Sequence, residues 1–488
     1  MPAFSPPTKK TPGTVALSAQ STRAGRAAAR SPEFLVVLAF DLLLLAHLRE
    51  LEPILARVAR RERLRGRPAV LAVGGGEPRG GARGVRRGGR GHVGVDAAAR
   101  VAGAAEPAQP GEGGAMGADN QSQSQPFTTP LREYIWTEKR GGNQVEVHLW
   151  DDKAGYQNFI FKNYAYVKDG GGQYQSIYGD KLKKVTYWTE EDFTTGRVFE
   201  SDIPLDTRIL IDRYPDSDDS STDHRILYYD IEVEVTDGFP EPAQAPNKIT
   251  SIAFQTSHDG KSYVYILGDR KDEQKSGALV RFFKTEADLL QEFLRFWLDT
   301  KPTIISGWNI DQFDTPYLYN RITKIFGEEF ANALSPIQQV RYNQNKKKYR
   351  IAGVSSLDYI ELYRKFTYVQ RSSYRLDYIG QIEVDMGKVE YEGTLDQLLE
   401  NDIDKFIEYN LVDVKIVVAL ENKLKLIDLA RAVSHLGRIP YEEVYFSSRY
   451  IEGAMLVYLR KLNLVAPSKR HDASYDDSAG RFSGAYVK

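Results

Sequence analysis

The run Ile226-Leu-Tyr-Tyr-Asp-Ile-Glu-Val-Glu-Val235 limits the folds open to this chain more than any other stretch. Its first four residues are apolar at every position, which suits a central strand covered on both faces. Side chains alternate across a strand. Asp230 and Glu232 therefore share one face, with Glu234 continuing it toward the rim, while Ile231 and Val233 point the other way. Two such acids can reach a single metal ion. The competing reading is an ordinary solvent-facing strand surface, and this run alone leaves both open.

Two further segments bring acids. Gly307-Trp-Asn-Ile-Asp-Gln-Phe-Asp-Thr-Pro-Tyr317 follows a short apolar strand expected at 303–306 and opens a helix. Pro316 suits a first-turn position, and Tyr317, Leu318, Ile322 and Ile325 form an amphipathic stripe. Asp314 stands at the helix entrance, either as an N-cap or as a ligand, and Asn309 and Asp311 compete for a metal role. The third segment reads as one helix from Asp402 to Leu436, ended by Gly437 and Pro440. Tyr409 and Asp413, four apart, share a helix face. They are either a surface pair or an acid with a phenol one turn away that can orient a water. Singly these signals are weak. In this order they suit a two-metal site for phosphodiester hydrolysis, which needs acids converging from distant parts of a fold.

The surrounding pattern is α/β. Strands are expected at 145–150, 156–166, 248–257 and 262–267, and a helix at 285–298 with Leu289, Leu290, Phe293 and Trp297 at helical spacing. Strand, strand, strand, helix, strand, helix makes a mixed unit. The segment 338–351 places Asn343-Gln-Asn-Lys-Lys-Lys348 between two short β-like runs.

Charge divides the chain. Residues 1–115 hold 18 Lys+Arg against 9 Asp+Glu and no Tyr, Trp or Asn; the remainder holds 47 against 57. The body is therefore no basic clamp by bulk charge, and nucleic-acid binding there would rest on local patches and metal ions. The Arg/Gly tracts of residues 74–91 read as a solvated disordered tail, or an upstream extension with Met116 as an alternative start; the other reading is an RNA or single-strand binder. The apolar stretch 34–46 is short for a membrane span and Asp41 interrupts it, so it reads as a marginal helix rather than a secretion signal. The absence of cysteine excludes disulfides and thiolate metal sites and fits a reducing compartment. A cytoplasmic protein without membrane contact is expected, in a host cell if the source is viral.

Taken together, the segments resemble the proofreading 3′→5′ exonuclease of family B DNA polymerases, in the tailed-bacteriophage branch. The likeness covers roughly residues 177–487. It rests on Ile-Tyr-Gly-Asp at 177–180, Asp-Ile-Glu-Val at 230–233, Gly-Trp-Asn-Ile at 307–310, Phe-Asp-Thr-Pro-Tyr at 313–317, Leu-Asp-Tyr at 357–359 and Tyr-Asn-Leu-Val-Asp at 409–413. The implied fold is an RNase H-like exonuclease domain, a mixed sheet with flanking helices, inserted in an N-terminal α+β domain. The implied division is a disordered tail at 1–115, the N-terminal domain at 116–225, the exonuclease at 226–428, a return segment at 429–479 and the start of a palm at 480–488.

By the same resemblance, Asp230, Glu232, Asp314 and Asp413 are the metal acids for two Mg²⁺ or Mn²⁺ ions. Asp230 bridges the pair, Glu232 and Asp413 complete one site, and Asp314 acts mostly indirectly. Tyr409 is the tyrosine of the DEDDy class. Lys388, in Gly387-Lys388, matches a lysine near the scissile phosphate. Phe313, Asn309, Lys346 and Lys347 are candidate DNA contacts. The basic hairpin at 338–351 either helps part primer from template or is a solvated turn. The implied partner is the single-stranded 3′ end of a primer–template, with a sliding clamp possible.

The polymerase palm motifs are not found. Tyr178-Gly-Asp180 is followed by Lys-Leu-Lys and precedes the exonuclease, and Gly480–Lys488 resembles the stretch just before the first palm motif. Either a separate polypeptide supplies palm, fingers and thumb, or the sequence is a piece of a longer one. Three functions stand: the exonuclease half of a polymerase, a free-standing DNA exonuclease, and a non-cutting template-binding module.

Overall fold

The computed structural model describes residues 131–469 except 142, 152–153, 217–223, 236–237, 239 and 368, with the side chains of 131–134 and 141 also outside the description. The tail, the start at Met116 and the 480–488 segment lie outside the described residues. Among the described residues no helix is long and apolar enough to cross a membrane.

Strands β1 (Leu131–Gly141), β2 (Gln144–Asp151) and β3 (Gly155–Lys162) form an antiparallel sheet. Val145, Val147 and Leu149 on β2 are buried and their neighbours are not, the period of a half-covered strand. The single strand expected at 156–166 is two. After β3 the N–H of Asn163 turns back to the carbonyl of Asn143 at 2.9 Å, and β4 (Ala165–Lys168) enters another sheet. One turn-prone Asn between β-prone aromatics is too slight a signal to mark that step in the sequence. The second sheet adds β5 (Tyr174–Ser176), β6 (Lys181–Val185) and β7 (Val198–Phe199), and its far edge is Leu464–Val465 from the end of the described chain, parallel to β5. Tyr178-Gly-Asp180 is the turn between β5 and β6; the N–H groups of Tyr178 and Asp180 both donate to Ser176 Oγ. Helices α1 (Glu190–Thr194) and α2 (Leu205–Arg213) follow.

A seven-stranded mixed sheet comes next. Its strands are β8 (Ile226–Val233), β9 (Ile249–Thr256), β10 (Ser262–Leu267), β11 (Glu273–Lys275), β12 (Ala278–Phe283), β13 (Ile304–Ser306) and, after the separate hairpin β14 (Val340–Asn343) and β15 (Lys348–Ile351), β16 (Ser355–Ser356). The spatial order is β11–β12–β10–β9–β8–β13–β16. Pairs β8–β9 and β9–β10 are antiparallel, while β8–β13, β13–β16 and β10–β12 are parallel. The mixed sheet flanked by helices that the resemblance implies is what the chain forms. Strands β11 and β12, absent from the expected order, extend its outer edge.

Strand β8 lies inside this sheet, and its parity sorts two cores. Leu227, Tyr229, Ile231 and Val233 pack with α3 (Glu286–Thr300) and α4 (Asp314–Phe326). Tyr228 faces the other way, toward α6 (Tyr359–Phe366), α7 (Leu376–Val384), α9 (Ile403–Leu424) and α10 (Leu426–Gly437). Short α5 (Glu328–Asn332) and α8 (Leu395–Asn401) join these layers, and α11 (Ser447–Lys461) leads to the final strand. The helix expected to run unbroken from 402 to 436 is two. Lys425 takes a left-handed conformation, φ 54°, and the carboxylate of Glu421 accepts the Ile427 N–H at 3.1 Å, serving the new helix start.

Candidate active site

The even-numbered face of β8 carries Asp230 and Glu232 toward α9, where Asp413 projects back. One carboxylate oxygen from each of Asp230, Glu232 and Asp413 lies within 4.8 Å of the others. Asp230 and Glu232 are half-buried and Asp413 is buried. Two elements far apart in sequence are needed for this: the pleat of β8 sets the first two acids, and the pitch of α9 sets the third.

Asp314 reaches the same place differently. Strand β13 pairs with β8 only as far as Tyr228, so the ladder is open beyond it. The N–H of Ile231 instead donates to Asp314 Oδ1 at 3.0 Å. Asp314 is thus the first residue of α4 and a clamp on the strand bearing the other acids. Gly307 makes this approach possible, because a Cβ there would lie 2.5 Å from the Tyr229 carbonyl oxygen and 2.4 Å from Ile310.

The electrostatics are those of an acid cluster short of positive charge. Burial, then the charges of Asp314, Asp413 and Glu232, push Asp230 well above the ordinary carboxylate range. Burial and Asp413 push Glu232 up to about 8, and burial lifts Asp314 to about 7 against the pull of the Ile231 N–H. Burial raises Asp413 too, opposed by Lys388. Lys388 Nζ donates to Asp413 Oδ2 and lies 3.4 Å from the Tyr409 hydroxyl. Burial alone would lower Lys388; Asp413 and Tyr409 outweigh it and hold the ammonium above its usual value. Tyr409 lies half-buried one turn from Asp413, and burial followed by Glu232 keeps its phenol protonated.

Among the described residues one lysine faces four carboxylates, and Asp413 Oδ1 is buried without a hydrogen-bond partner. An orphaned buried carboxylate oxygen costs on the order of 1–3 kcal/mol or more. Oxygen donors with excess negative charge are the set a hard divalent cation takes, so the residues fit such an ion.

The structure thus brings Asp230, Glu232, Asp413, Lys388 and Tyr409 together, with Asp314 alongside. The other candidates stand apart. Phe313 is half-buried, its ring 5.4 Å from that of Tyr317, on the loop before α4. Asn309 is exposed on that loop at φ 70°. Asp311 does not compete for a metal: it is buried, with Lys348 Nζ 2.8 Å from one oxygen and Ser356 Oγ 2.5 Å from the other. Lys346 pairs with Glu443 at 2.8 Å, and Lys347 is exposed at the hairpin turn. The segment 338–351 is a hairpin, and Lys348 within it is buried, so it is not a wholly solvated turn.

Two supporting residues escaped sequence reasoning. Asp358 accepts the N–H groups of Asn309 and Asp311, at 2.9 and 3.0 Å, and that of Ile360, holding the loop that delivers Asp314. The signal was present in Leu357-Asp-Tyr359, but its partners lie about fifty residues upstream. Tyr391 meets Tyr409 edge-on at 5.3 Å; its position three residues after Lys388 was the available cue.

Residues 195–379 match the family described as DNA polymerase family B, exonuclease domain. That stretch includes Asp230, Glu232 and Asp314; Lys388, Tyr409 and Asp413 lie beyond it. The chain is 33% identical over 294 residues to the DNA-directed DNA polymerase of Escherichia phage RB69, an overlap of 54% of this chain and 32% of the phage protein. It is 30% identical over 293 residues to that of Enterobacteria phage T4, with the same coverage of 54% and 32%. DNA polymerase 1 of Sulfurisphaera ohwakuensis is 28% identical over 256 residues, 49% of this chain and 26% of that protein. The chain therefore spans about a third or less of the length of these relatives.

Proposed function

We propose that the family B DNA polymerase exonuclease domain carried by this chain removes nucleotides from single-stranded 3′ ends of DNA, the proofreading step of replication. The observation that carries this reading is the convergence of Asp230, Glu232 and Asp413 from a strand and a distant helix, with an unpartnered Asp413 oxygen among them. The polymerase relatives support DNA as the substrate. Two Mg²⁺ or Mn²⁺ ions held by Asp230, Glu232 and Asp413, with Asp314 alongside, would supply an activated water and neutralise the leaving 3′ oxygen.

The chain's own groups do the rest. Asp314 fixes β8, and through it the spacing of Asp230 and Glu232. The protonated phenol of Tyr409 orients the attacking water. Lys388 offers the scissile phosphate a positive charge, at the expense of its contact with Asp413. Phe313 offers an aromatic ring for the terminal base to stack on, and Asn309 and Lys347, both exposed, contact the strand. Lys346, spent on Glu443, is dropped from the DNA contacts.

The wider arrangement belongs to the same proposal. Residues 226–428 carry the exonuclease, with α10 and the turn at Tyr441–Glu443 packed onto its core, and residues 131–214 with Leu464–Val465 make up the described part of the N-terminal domain. Polymerase palm, fingers and thumb come from a separate polypeptide or from more of the same one, with a sliding clamp as a further partner. The test is release of deoxynucleoside 5′-monophosphates from a 5′-labelled single-stranded oligonucleotide in Mg²⁺. Asp230→Ala together with Glu232→Ala abolishes it. A double variant that degrades the strand as fast as wild type removes the reading.

A further inference from the structure

The acids of the cluster and its lysine are mounted differently. Asp230 and Glu232 stand on β8 inside the sheet, and Asp314 and Asp413 stand on α4 and α9. Lys388 stands on neither helix nor strand. It lies in the segment joining α7, which ends at Val384, to α8, which begins at Leu395. That segment is held on both sides of Lys388: the Met386 N–H donates to the Gly380 carbonyl at 3.1 Å, and Tyr391 meets Tyr409 edge-on. The base of the lysine is therefore fixed, while its flexible stem lets the ammonium change partners. Its side chain keeps 32% exposure against 5% for that of Asp413.

Lys388 Nζ donates to Asp413 Oδ2 and lies 5.2 Å over the Tyr409 ring. The other Asp413 oxygen, Oδ1, is the buried one without a partner among the described residues. A divalent ion held by Asp413 and the Lys388 ammonium therefore share one carboxylate. In a buried site two positive charges on one carboxyl group repel strongly.

Formal charge decides when this repulsion matters. Acids that ligate a metal are ionised. The four carboxylates and the ammonium then carry −3 among the described residues. One divalent ion brings the site to −1, and a second brings it to +1. The scissile phosphodiester of a DNA strand carries −1, and with it the doubly loaded site is neutral. The protein alone favours the first ion. It opposes the second until a phosphate arrives.

We propose that Lys388 makes the second metal ion conditional on the strand: its charge opposes that ion in the free protein and turns to the phosphate when a 3′ end enters the site. This rests on the exonuclease reading above. The acids are then completed for hydrolysis only around a bound strand.

The test is Mn²⁺ binding to the full chain, read from the loss of the free-ion EPR signal. Ions bound under the same conditions by a protein carrying Asp230→Ala and Glu232→Ala are subtracted. Binding is measured without DNA and with two single strands. In one the terminal linkage is a phosphorothioate, which keeps the negative charge and resists cleavage; in the other it is a methylphosphonate, which has no charge. In wild type the phosphorothioate strand tightens the second ion at least about tenfold, and the methylphosphonate strand by less than about threefold. Without a strand, Lys388→Met binds the second ion at least about tenfold more tightly than wild type, and the phosphorothioate strand adds less than about threefold. Lys388→Arg, which keeps the charge, keeps the wild-type dependence on the strand. If Lys388→Met does not fold, Lys388→Gln, which also removes the charge, gives the same result. Equal tightening by both strands or by neither overturns the inference, as does a charge-free variant that depends on the strand as wild type does. So does a wild type that takes both ions equally well without a strand. A wild type that takes up no Mn²⁺ beyond the protein carrying Asp230→Ala and Glu232→Ala, with or without a strand, removes the exonuclease reading itself.

Discussion

Asp230 shows how far a single residue can be at odds with the stability of its own fold. Without metal its carboxylate is crowded by Asp314, Asp413 and Glu232, and among the described residues Lys388 is the cation that opposes them. Asp230→Asn keeps the shape and removes a charge from that cluster. At pH 8 in a chelator, the variant's urea midpoint should rise by the equivalent of about 1 kcal/mol, as neutralising buried uncompensated charge does. The same variant in Mg²⁺ should lose at least about a hundredfold in cleavage, because a ligand is gone. A variant that is both less stable and inactive would mean the acid holds the fold together rather than a metal. Residues of this kind are legible in the sequence because their chemistry is written locally: Asp230 and Glu232 by a two-residue spacing, Tyr409 and Asp413 by a four-residue one. Lys348 and Asp358 are not. Lys348 looked like one more solvated lysine of a basic turn, and only its partner, 37 residues upstream, makes it a buried one.

At the scale of elements, the break between α9 and α10 carries a pH dependence. Burial raises Glu421 to about 7 from an ordinary value of 4.5, while its carboxylate accepts from the Tyr359 hydroxyl at 3.0 Å and from the Ile427 N–H. The folded protein therefore holds this proton more tightly than the unfolded chain. Below pH 4.5 both states are protonated and nothing is lost. Between 4.5 and 7 the unfolded chain ionises first, so stability falls as pH rises, by up to roughly 2–3 kcal/mol above pH 7. Glu421→Gln keeps the acceptor oxygen and cannot ionise. Its urea midpoint should therefore gain on wild type between pH 5 and pH 8, and parallel midpoints across that range would show that Glu421 does not titrate there. The break itself was hidden in the sequence. Leu420, Leu424 and Ile427 continue the apolar pattern across it, and the left-handed residue is Lys425, with no Gly or Asn to mark it. Helices α3 and α4, by contrast, were legible to within two residues, because Thr285 caps one and Asp314 opens the other on strong stripes.

For the whole described molecule, the question is whether its cores stand or fall together. One core gathers Ile135, Val147, Leu182, Ile209 and Tyr214 from the N-terminal sheets with Val465 from the far end of the described chain. The two that sandwich β8 are built from other residues, and all the proposed catalytic groups border those. No periodicity in residues 460–469 announces that Leu464–Val465 pairs with Tyr174–Ser176, since a two-residue strand has no period and its partner lies almost three hundred residues upstream. Val465 is 4% exposed, so Val465→Asp places an unpaired charge in the N-terminal core, at a cost of several kcal/mol. If the cores are separate cooperative units, trypsin should cut within residues 131–214 far faster than in wild type, while Mg²⁺-dependent cleavage of a single strand persists at a similar rate. Loss of single-strand cleavage in step with proteolysis would instead make the described residues one cooperative body, in which a strand of two residues at one end holds up an acid cluster at the other.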